Sequence, residues 1–424
     1  MRLSIRNGRL IDPHSGTDRQ ADLHIAQGRI VAIGAAPAGF EAERAIDAAG
    51  AWVLPGLVDL AARLREPGHA YMATLETELD AALAGGITAL CCPPDTDPPL
   101  DEPGLVEMLK HRARLLDGAR LYPLGALSVG LQGQVITEMG ELSNAGCVGF
   151  AQPGRLVDDL QLLLRAMQYA HTFGHTVWLQ PRDASIGRDG VAHAGPVASR
   201  LGLAAVPTIA ETIALNTIFD LVRETGCRVH LCRISSAAGV ELIRRAKAEG
   251  LPVSADVAVH HLHLVDSDIG YFDSRYRVDP PFRSQRDREA IRAGVRDGTI
   301  DVICSDHTPV DDDAKQLPFG EAEPGVTGLE LLLPLTLKWA AEDGIAPVDA
   351  LRRLTVAPAR VAGIEAGTLE PGAMADVCLY APEEPWLVGR PTLRSQSVHT
   401  PYLGLEMVGR VRQVLVGGRV AGTD

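Results

Sequence analysis

The sequence predicts an α/β fold: a (β/α)8 TIM barrel that carries a small composite β-sandwich domain built from both ends of the chain. Over the middle of the chain, short apolar runs alternate with patterns typical of amphipathic helices. At both ends, apolar and polar residues alternate as in strands that are buried on one face. Strands separated by helices pair in parallel, because antiparallel neighbours need only short turns. We therefore expect the barrel at residues 54–365 and the β-sandwich domain at residues 1–53 and 366–424.

Eight buried barrel strands are expected at apolar runs bounded by turn residues. They lie at residues 52–54, 88–92, 120–122, 147–150, 176–179, 228–231, 252–255 and 302–304. Between them, helical patterns are clearest at residues 105–116, 156–171, 210–225 and 239–249. Because the active sites of such barrels lie at the carboxyl ends of the strands, functional side chains should directly follow the apolar runs.

The two ends of the chain carry short strand patterns with glycine and asparagine turns between them. These patterns lie at residues 3–5, 10–11, 23–25, 30–33, 376–380 and 411–416. Neither end has enough apolar strand to form a stable sheet alone. Pairing of the two ends into one domain solves this problem for both.

The composition and net charge argue against several classes of partner and cellular location. A net charge of −14 argues against nucleic acid or a membrane surface as a partner, because either would require a basic face. No apolar run reaches the roughly eighteen residues of a transmembrane helix, and the N-terminus lacks the apolar segment of a signal peptide. The seven cysteines show no repeated C-x-x-C spacing, so reduced, core-packed thiols and a cytoplasmic location are expected.

Several short motifs follow one another along the chain. They read P-G-L-V-D at residues 55–59, L-R-E-P-G at 64–68, P-P-D-T-D-P at 93–98, H-H-L at 260–262, P-P-F-R at 280–283, D-G-T-I-D at 297–301, S-D-H-T-P at 305–309 and G-A-M-A-D at 372–376. Each motif is weak alone, but in this order and at these spacings the chain resembles bacterial dihydroorotase over nearly its full length. The resemblance implies a TIM barrel of the metal-dependent hydrolase type.

The same resemblance implies two zinc ions held by histidines, a bridging carboxylate and an aspartate, with a metal-bound hydroxide that attacks a cyclic amide. Five of the ligand positions hold unsuitable residues in this chain, namely Ala61, Arg63, Gln152, Gln180 and Arg233. Alanine offers no ligand atom, glutamine is a poor ligand, and arginine has only donors and a permanent charge. Asp306 alone is kept. We therefore expect no zinc, no other cofactor and no catalytic residue, with Asp306 as a vestige.

The family's substrate contacts are partly kept. Arg65 stands where the family's arginine binds the substrate carboxylate, for which a guanidinium is well suited. The family's substrate-binding asparagines correspond to Asp95 and Asp279, which accept but do not donate and which oppose an anionic ligand. His261 belongs to a histidine pair that supports or contacts the substrate in the family. These four residues form a vestigial binding set.

Removal of the metals would leave a buried carboxylate without a cation, which is costly. We therefore expect one or more of Arg63, Arg182 and Arg233 to occupy the vacated space within hydrogen-bond range of Asp306. Two alternatives stay open: the arginines are solvated replacements in a relaxed pocket, or Asp306 acts as a general base beside His307.

The resulting hypothesis is a catalytically inactive dihydroorotase homologue that acts as a structural subunit in de novo pyrimidine biosynthesis. The resemblance alone implies its partner, the catalytic chain of aspartate carbamoyltransferase, and a homo-oligomer is expected as well. Two other functions stay open. One is an active cyclic amidohydrolase with a divergent, metal-free site, and the other is a sensor that binds a pyrimidine intermediate through Arg65.

Overall fold

A computed structural model describes residues 2–421. The strands that precede residue 56 are short, and they are β1 (Arg2–Arg6), β2 (Arg9–Asp12), β3 (Thr17–Gln20), β4 (Leu23–Ala26), β5 (Arg29–Ile33), β6 (Arg44–Asp47) and β7 (Trp52–Pro55). β1 pairs with β4 and β6, whereas β2 pairs with β3 and β7. The N-terminal strands therefore contribute to two different sheets.

The strands of the middle region pair only in parallel within the described residues. They are β8 (Leu57–Asp59), β9 (Ile87–Cys92), β10 (Arg120–Pro123), β11 (Gly125–Ala126), β12 (Phe150–Gln152), β13 (Thr176–Leu179), β14 (Ala192–His193), β15 (Ala205–Val206), β16 (Arg228–Leu231), β17 (Val253–Ala258) and β18 (Val302–Cys304). β8, β9 and β10 form one series, and β11, β12, β13, β16, β17 and β18 form another. β14 and β15 form a separate pair in the loop after β13.

Backbone contacts join the two series end to end. The Leu124 N–H donates to the carbonyl of Cys92, and the next residue, Gly125, donates to Gly149, so β10 and β11 are two halves of one strand position. A parallel bridge between Ala62 and His307 links the end of β8 to the segment after β18. This connectivity is that expected of an eight-membered parallel barrel, and we call it the ring.

The prediction of a barrel strand at residues 52–54 is wrong. These residues belong to β7, which pairs with β2, and the first strand of the ring is β8. Gly56 separates the two strands, and a Cβ atom there would lie 2.1 Å from Oγ1 of Thr88. Hydrophobic pattern alone could not divide this run, because both strands are apolar. The fourth strand also begins later than predicted, at Phe150.

Helices cover the ring and connect its strands. They are α1 (Leu75–Ala84), α2 (Pro103–Leu115), α3 (Met139–Ala145), α4 (Leu160–Thr172), α5 (Pro196–Leu201), α6 (Ile209–Thr225), α7 (Ala237–Glu249), α8 (Gln285–Asp297), α9 (Asp312–Gln316), α10 (Leu332–Glu342), α11 (Pro347–Arg352) and α12 (Val356–Ala362). Short 3-10 turns lie at Val129–Leu131, Val259–Leu262, Asp266–Ile269, Ser274–Tyr276 and Leu329–Leu331. The four helices predicted from the sequence are confirmed as α2, α4, α6 and α7, with ends shifted by up to four residues.

The C-terminal strands complete the second N-terminal sheet. They are β19 (Val377–Leu387), β20 (Glu406–Val416) and β21 (Arg419–Ala421). The order of this sheet is β21-β20-β19-β7-β2-β3, and β19 runs antiparallel to β7. The two ends of the chain are therefore held in one sheet. The other sheet has the order β5-β4-β1-β6.

Apolar side chains fill the space between these layers. One cluster lies between the ring and its helices and includes Leu57, Leu90, Val177, Val229 and Ile303. Another joins the strands of the two ends and includes Leu3, Leu23, Val53, Val377 and Leu415. All seven cysteines are buried and free, as predicted. Among residues 2–421, no helix has the length and apolar character needed to cross a membrane.

Candidate functional site

The ring places the predicted site residues at one edge, because parallel strands all end on the same side of a sheet. Ala61 and Arg63 follow β8, and Asp95 follows β9. Gln152 ends β12, Gln180 directly follows β13, Arg233 follows β16, and Asp306 follows β18. We call this edge the mouth of the ring.

Arg63 is fixed mainly by Asp95. Its Nε donates to Oδ2 of Asp95 over 2.8 Å, and its Nη1 donates to the hydroxyl of Thr308 over 3.0 Å. The same Nη1 lies 3.6 Å from Oδ1 of Asp306, which is an ion-pair distance but too long for a hydrogen bond. Burial of the Asp95 carboxyl opposes ionisation, but the guanidinium groups of Arg63, Arg65 and Arg233 together outweigh it and lower the pKa of Asp95.

Arg233 approaches Asp306 from the other side of the mouth. Its Nε lies 3.5 Å from Oδ1 of Asp306, and its Nη2 donates to Oε1 of Gln180 over 3.2 Å. The backbone N–H of Arg233 donates to the buried carboxylate of Asp256. The side chains of Arg233 and Asp306 are only 6% and 7% exposed. The Arg233 guanidinium is therefore paired with the buried Asp306 and the amide of Gln180, whereas Asp256 holds its backbone.

Asp306 is flanked by two guanidinium groups but hydrogen-bonded to neither. Its Oδ1 is buried and makes no hydrogen bond within the described residues. Burial raises the pKa of Asp306 to about 7, against the opposing effects of Arg233 and Arg63. The expectation of arginines beside Asp306 therefore holds for Arg63 and Arg233 as ion pairs, whereas the expected hydrogen-bonded pairing is wrong.

The third arginine, Arg182, pairs elsewhere. Its Nη1 donates to both carboxylate oxygens of Asp279, over 2.8 and 2.9 Å, and its Nη2 donates to the carbonyls of Gly187 and Arg188. Each of the two aspartates that stand for the family's asparagines thus has an arginine partner. Their charges are compensated and do not face an anionic ligand alone, which corrects the expectation from the sequence.

Three residues of the mouth have a left-handed backbone. The φ angles are +61° at Arg65, +56° at Arg233 and +48° at Asp306. Such angles are uncommon in residues other than glycine and are costly, and they are concentrated at functional sites. Arg65 also donates from Nε to the carbonyl of Pro309 over 2.7 Å. Burial, with help from the neighbouring Arg63, lowers the pKa of Arg65.

His261 lies in the 3-10 turn that follows β17. Its Nε2 is 3.1 Å from the carbonyl of Pro280, so this nitrogen carries the proton and donates it. Its Nδ1 is buried without a partner in the described part of the chain. Burial lowers the pKa of His261 to about 4, so its imidazole is neutral at physiological pH. It neither carries charge nor contacts Asp306 by a hydrogen bond.

Gln152 and Gln180, which the resemblance places at ligand positions, are parts of the internal hydrogen-bond network. Oε1 of Gln152 accepts from Ser128 over 2.9 Å, and its Nε2 donates to the carbonyl of Leu131 over 2.8 Å. Oε1 of Gln180 accepts from Arg233 and from the backbone of Gly154. These amide oxygens are thus already engaged. With Ala61 and two arginines beside them, the donor set does not fit a zinc pair.

One group of three possible ligands exists below the mouth, namely His230, Cys232 and Asp256. Nδ1 of His230 is 2.8 Å from the hydroxyl of Ser254, and Nε2 is 3.0 Å from Oδ2 of Asp256. Burial raises the pKa of the Cys232 thiol, so it stays protonated. Both imidazole nitrogens are used and the thiol is a poor ligand. This group is a hydrogen-bonded support for Arg233.

A second buried network could not be found from the sequence. Nε2 of His307 lies 2.6 Å from Oε2 of Glu78 in α1, and the same oxygen accepts from Ser395 over 2.7 Å. Nδ1 of His307 accepts from the backbone of Gly328 over 3.1 Å. The motif at residues 305–309 pointed to His307, but its partners come from distant segments. These hydrogen bonds occupy both nitrogens of the His307 imidazole, so His307 is not available as an acid or base at the mouth.

Comparison with known proteins adds the family context. A family model described as dihydro-orotase-like matches residues 50–238, and one described as amidohydrolase family matches residues 168–421. A dihydroorotase-like protein of Pseudomonas aeruginosa is 44% identical over 421 residues, which cover 99% of both chains. A dihydroorotase of Pelobacter propionicus is 38% identical over 423 residues, again 99% of both chains.

Solved structures of hydantoinases share the fold. The L-hydantoinase (dihydropyrimidinase) of Arthrobacter aurescens superposes with a TM-score of 0.87 at 24% identity, over 99% of this chain and 96% of that chain. A D-hydantoinase gives a TM-score of 0.86 at 22% identity, over 100% of this chain and 96% of that chain. At this identity the likeness concerns the fold alone.

Proposed function

The chain belongs to the dihydroorotase-like family of amidohydrolases, and we propose that it is a member without a metal centre that acts as a structural subunit. Its partner is the catalytic chain of aspartate carbamoyltransferase, and it does not itself open or close a pyrimidine ring. The family resemblance supports the partner, whereas the contacts of the replaced positions support the loss of catalysis.

One observation carries the loss of catalysis: the replaced ligand positions are integrated into the fold. Gln152 and Gln180 use their amide oxygens in internal hydrogen bonds, and Arg233 places a permanent positive charge beside Asp306. A divalent cation would have to displace these contacts and would be repelled by two guanidinium groups. The site therefore differs from a metal centre at several positions, two of which hold arginine, and the difference is larger than the loss of one ligand.

Hydrolysis without a metal would require an activated nucleophile or a free general base. Three of the four titratable residues that could serve are engaged. Asp95 is bound by Arg63, and Asp279 is bound by Arg182. His307 is held by Glu78. Asp306 has a free oxygen, but the groups beside it are cations and offer neither a nucleophile nor a proton shuttle. These contacts weigh against the metal-free enzyme.

A structural role is physically consistent with this loss. The fold of a barrel depends on its packed interior and helices, whereas catalysis depends on side chains at one edge. The buried clusters that hold the ring and the two chain ends together are continuous in the described residues. The outer surface can therefore be kept as an assembly surface after the mouth has lost its chemistry.

Co-expression with the aspartate carbamoyltransferase catalytic chain of the same organism tests the assembly. We expect the two chains to elute together in size-exclusion chromatography, at a volume that neither gives alone. The Arg65→Gln variant is the matched control, because a scaffold that binds through its outer surface should assemble with this mouth residue changed. Separate elution of the unmodified chains at micromolar concentration would refute the proposed partner.

A further inference from the structure

The mouth contains guanidinium N–H groups that no protein group uses. Arg63 donates from Nε and Nη1, Arg65 donates from Nε, and Arg233 donates from Nη2, while its Nε lies 3.5 Å from Asp306 without a hydrogen bond. Within the described residues, Nη2 of Arg63, Nη1 of Arg233 and both Nη nitrogens of Arg65 donate to no protein acceptor. Buried or half-buried guanidinium groups normally satisfy such donors. The unused donors indicate room for an anionic acceptor.

The same place contains an acceptor without a donor. Oδ1 of Asp306 is buried and makes no hydrogen bond, although the side chain is only 7% exposed. Leaving a buried carboxylate oxygen unsatisfied is costly, and a bound water or ion is one of the explanations for such an atom in a natural fold. Both Nη1 of Arg63 and Nε of Arg233 lie within 3.6 Å of this oxygen. Oδ1 has almost no accessible surface, so an anion that enters between the two guanidinium groups must move them apart, and it then contacts both of them and Asp306.

From this pattern of donors and acceptor we propose that the mouth binds inorganic hydrogen phosphate. Its unprotonated oxygens accept from Arg63 and Arg233, whose guanidinium groups flank Asp306, and its remaining O–H donates to Oδ1 of Asp306. Guanidinium groups pair with phosphate oxygens through charge-assisted hydrogen bonds. This inference rests on the proposed loss of the metal centre, because the phosphate takes the space that a metal pair would need.

Asp306 makes the site selective for an anion that carries its own proton. Sulfate has the same shape and charge as hydrogen phosphate at a pH of about 8 but has no O–H, so it would bring an oxygen lone pair against Asp306. A carboxylate such as acetate has the same defect. A phosphomonoester, whose second pKa is about 6, has also lost its O–H at that pH. Only inorganic phosphate among these four anions satisfies every group.

Titration calorimetry on the full-length protein at a pH of about 8 tests the proposal with inorganic phosphate, sulfate, acetate and glycerol 3-phosphate. We expect phosphate to bind at least about tenfold more tightly than the other three, because only phosphate supplies the missing donor. Equal binding of sulfate, tighter binding of glycerol 3-phosphate, or no binding of phosphate would overturn it. Metal content is measured on the same sample. A protein that contains zinc refutes the proposed function. A metal-free protein that does not bind phosphate refutes only this inference.

Two variants locate the site. In Asp306→Asn the new amide can donate, so sulfate should bind about as well as phosphate; an unchanged preference for phosphate would contradict the role of Asp306. Arg233→Gln should weaken both anions. Arg228→Gln is the matched control, because Arg228 begins β16, the strand that leads to Arg233, and lies at the opposite edge of the ring. Loss of phosphate binding in the control would mean that phosphate binds outside the mouth. Circular dichroism confirms that each variant is folded.

Discussion

At the scale of single residues, Arg63 and Arg233 bring positive charge into the mouth, and neighbouring aspartates compensate it. Arg63 is bound to Asp95 and faces Asp306, while the Arg233 side chain pairs with Asp306 and the Arg233 backbone N–H donates to Asp256. The sequence predicted arginines beside Asp306. It could not predict which arginine pairs with which aspartate, because that depends on loop conformation and on the rotamers of long side chains.

Arg233→Met should destabilise the protein strongly. It removes the cation beside the buried Asp306 and the donor to Gln180, and breaking a buried ion pair costs about 3–5 kcal/mol. Arg245→Met is the control, because the Arg245 side chain is 72% exposed and its pair with Glu241 should contribute about 0–1 kcal/mol. Urea unfolding of both variants measures the difference. Equal free energies of unfolding would show that the Arg233 pair contributes no more than a surface one.

At the scale of elements, the sequence predicted helices better than strand membership. α6 and α7 were located within two residues, because a long amphipathic pattern and a glycine after the last turn mark their ends. β7 was assigned to the wrong sheet, since β7 and β8 form one apolar run divided only by Gly56. Sheet membership depends on contacts between distant segments, and a single sequence does not record these contacts.

Gly56→Ala should be poorly tolerated. The added methyl would lie 2.1 Å from Oγ1 and 2.5 Å from Cγ2 of Thr88, inside the packed junction between the two sheets. Overpacking of this kind costs about 1–3 kcal/mol. Gly104→Ala in α2 is the control, because a Cβ there meets nothing within 4 Å. Thermal unfolding should show a loss for Gly56→Ala and no loss for Gly104→Ala. The same change in both would argue against a tight junction.

Lys315 connects two loops at the mouth and should make stability depend on pH. Its Nζ donates from α9 to the carbonyls of Ser274 and Arg277 over 3.2 and 3.1 Å. Burial lowers its pKa from 10.5 to about 7. Between these values the unfolded chain holds a proton that the folded chain has released, so the free energy of unfolding should rise with pH across this interval.

Lys315→Met removes this titration, and its free energy of unfolding should rise less between a pH of about 7 and about 10 than that of the unmodified protein. Urea unfolding at a series of pH values measures the two slopes. Lys338→Met, with a side chain that is 54% exposed, is the surface control. Identical slopes for Lys315→Met and the unmodified protein would mean that Lys315 stays charged in the folded state.

At the scale of the whole molecule, the chain keeps the fold of an amidohydrolase while its mouth has diverged. The strands of both ends share one sheet, and the ring between them follows the order of the hydantoinase fold. The sequence predicted this arrangement because the packing motifs are spread along the whole chain. The residues at the ligand positions that the resemblance implies each end a strand of the ring or follow one within four residues. The sequence did not reveal the partners of Gln152, Gln180 or His307, which lie in distant loops and helices.

The central claim is that this rebuilt mouth has no hydrolytic chemistry. Turnover of dihydroorotate in the presence of added Zn²⁺ tests it most directly, with the dihydroorotase of Pelobacter propionicus assayed in parallel. We predict that this chain gives no ring opening or ring closure above the rate without protein, with or without zinc. Zinc-dependent turnover by the purified chain would contradict the claim.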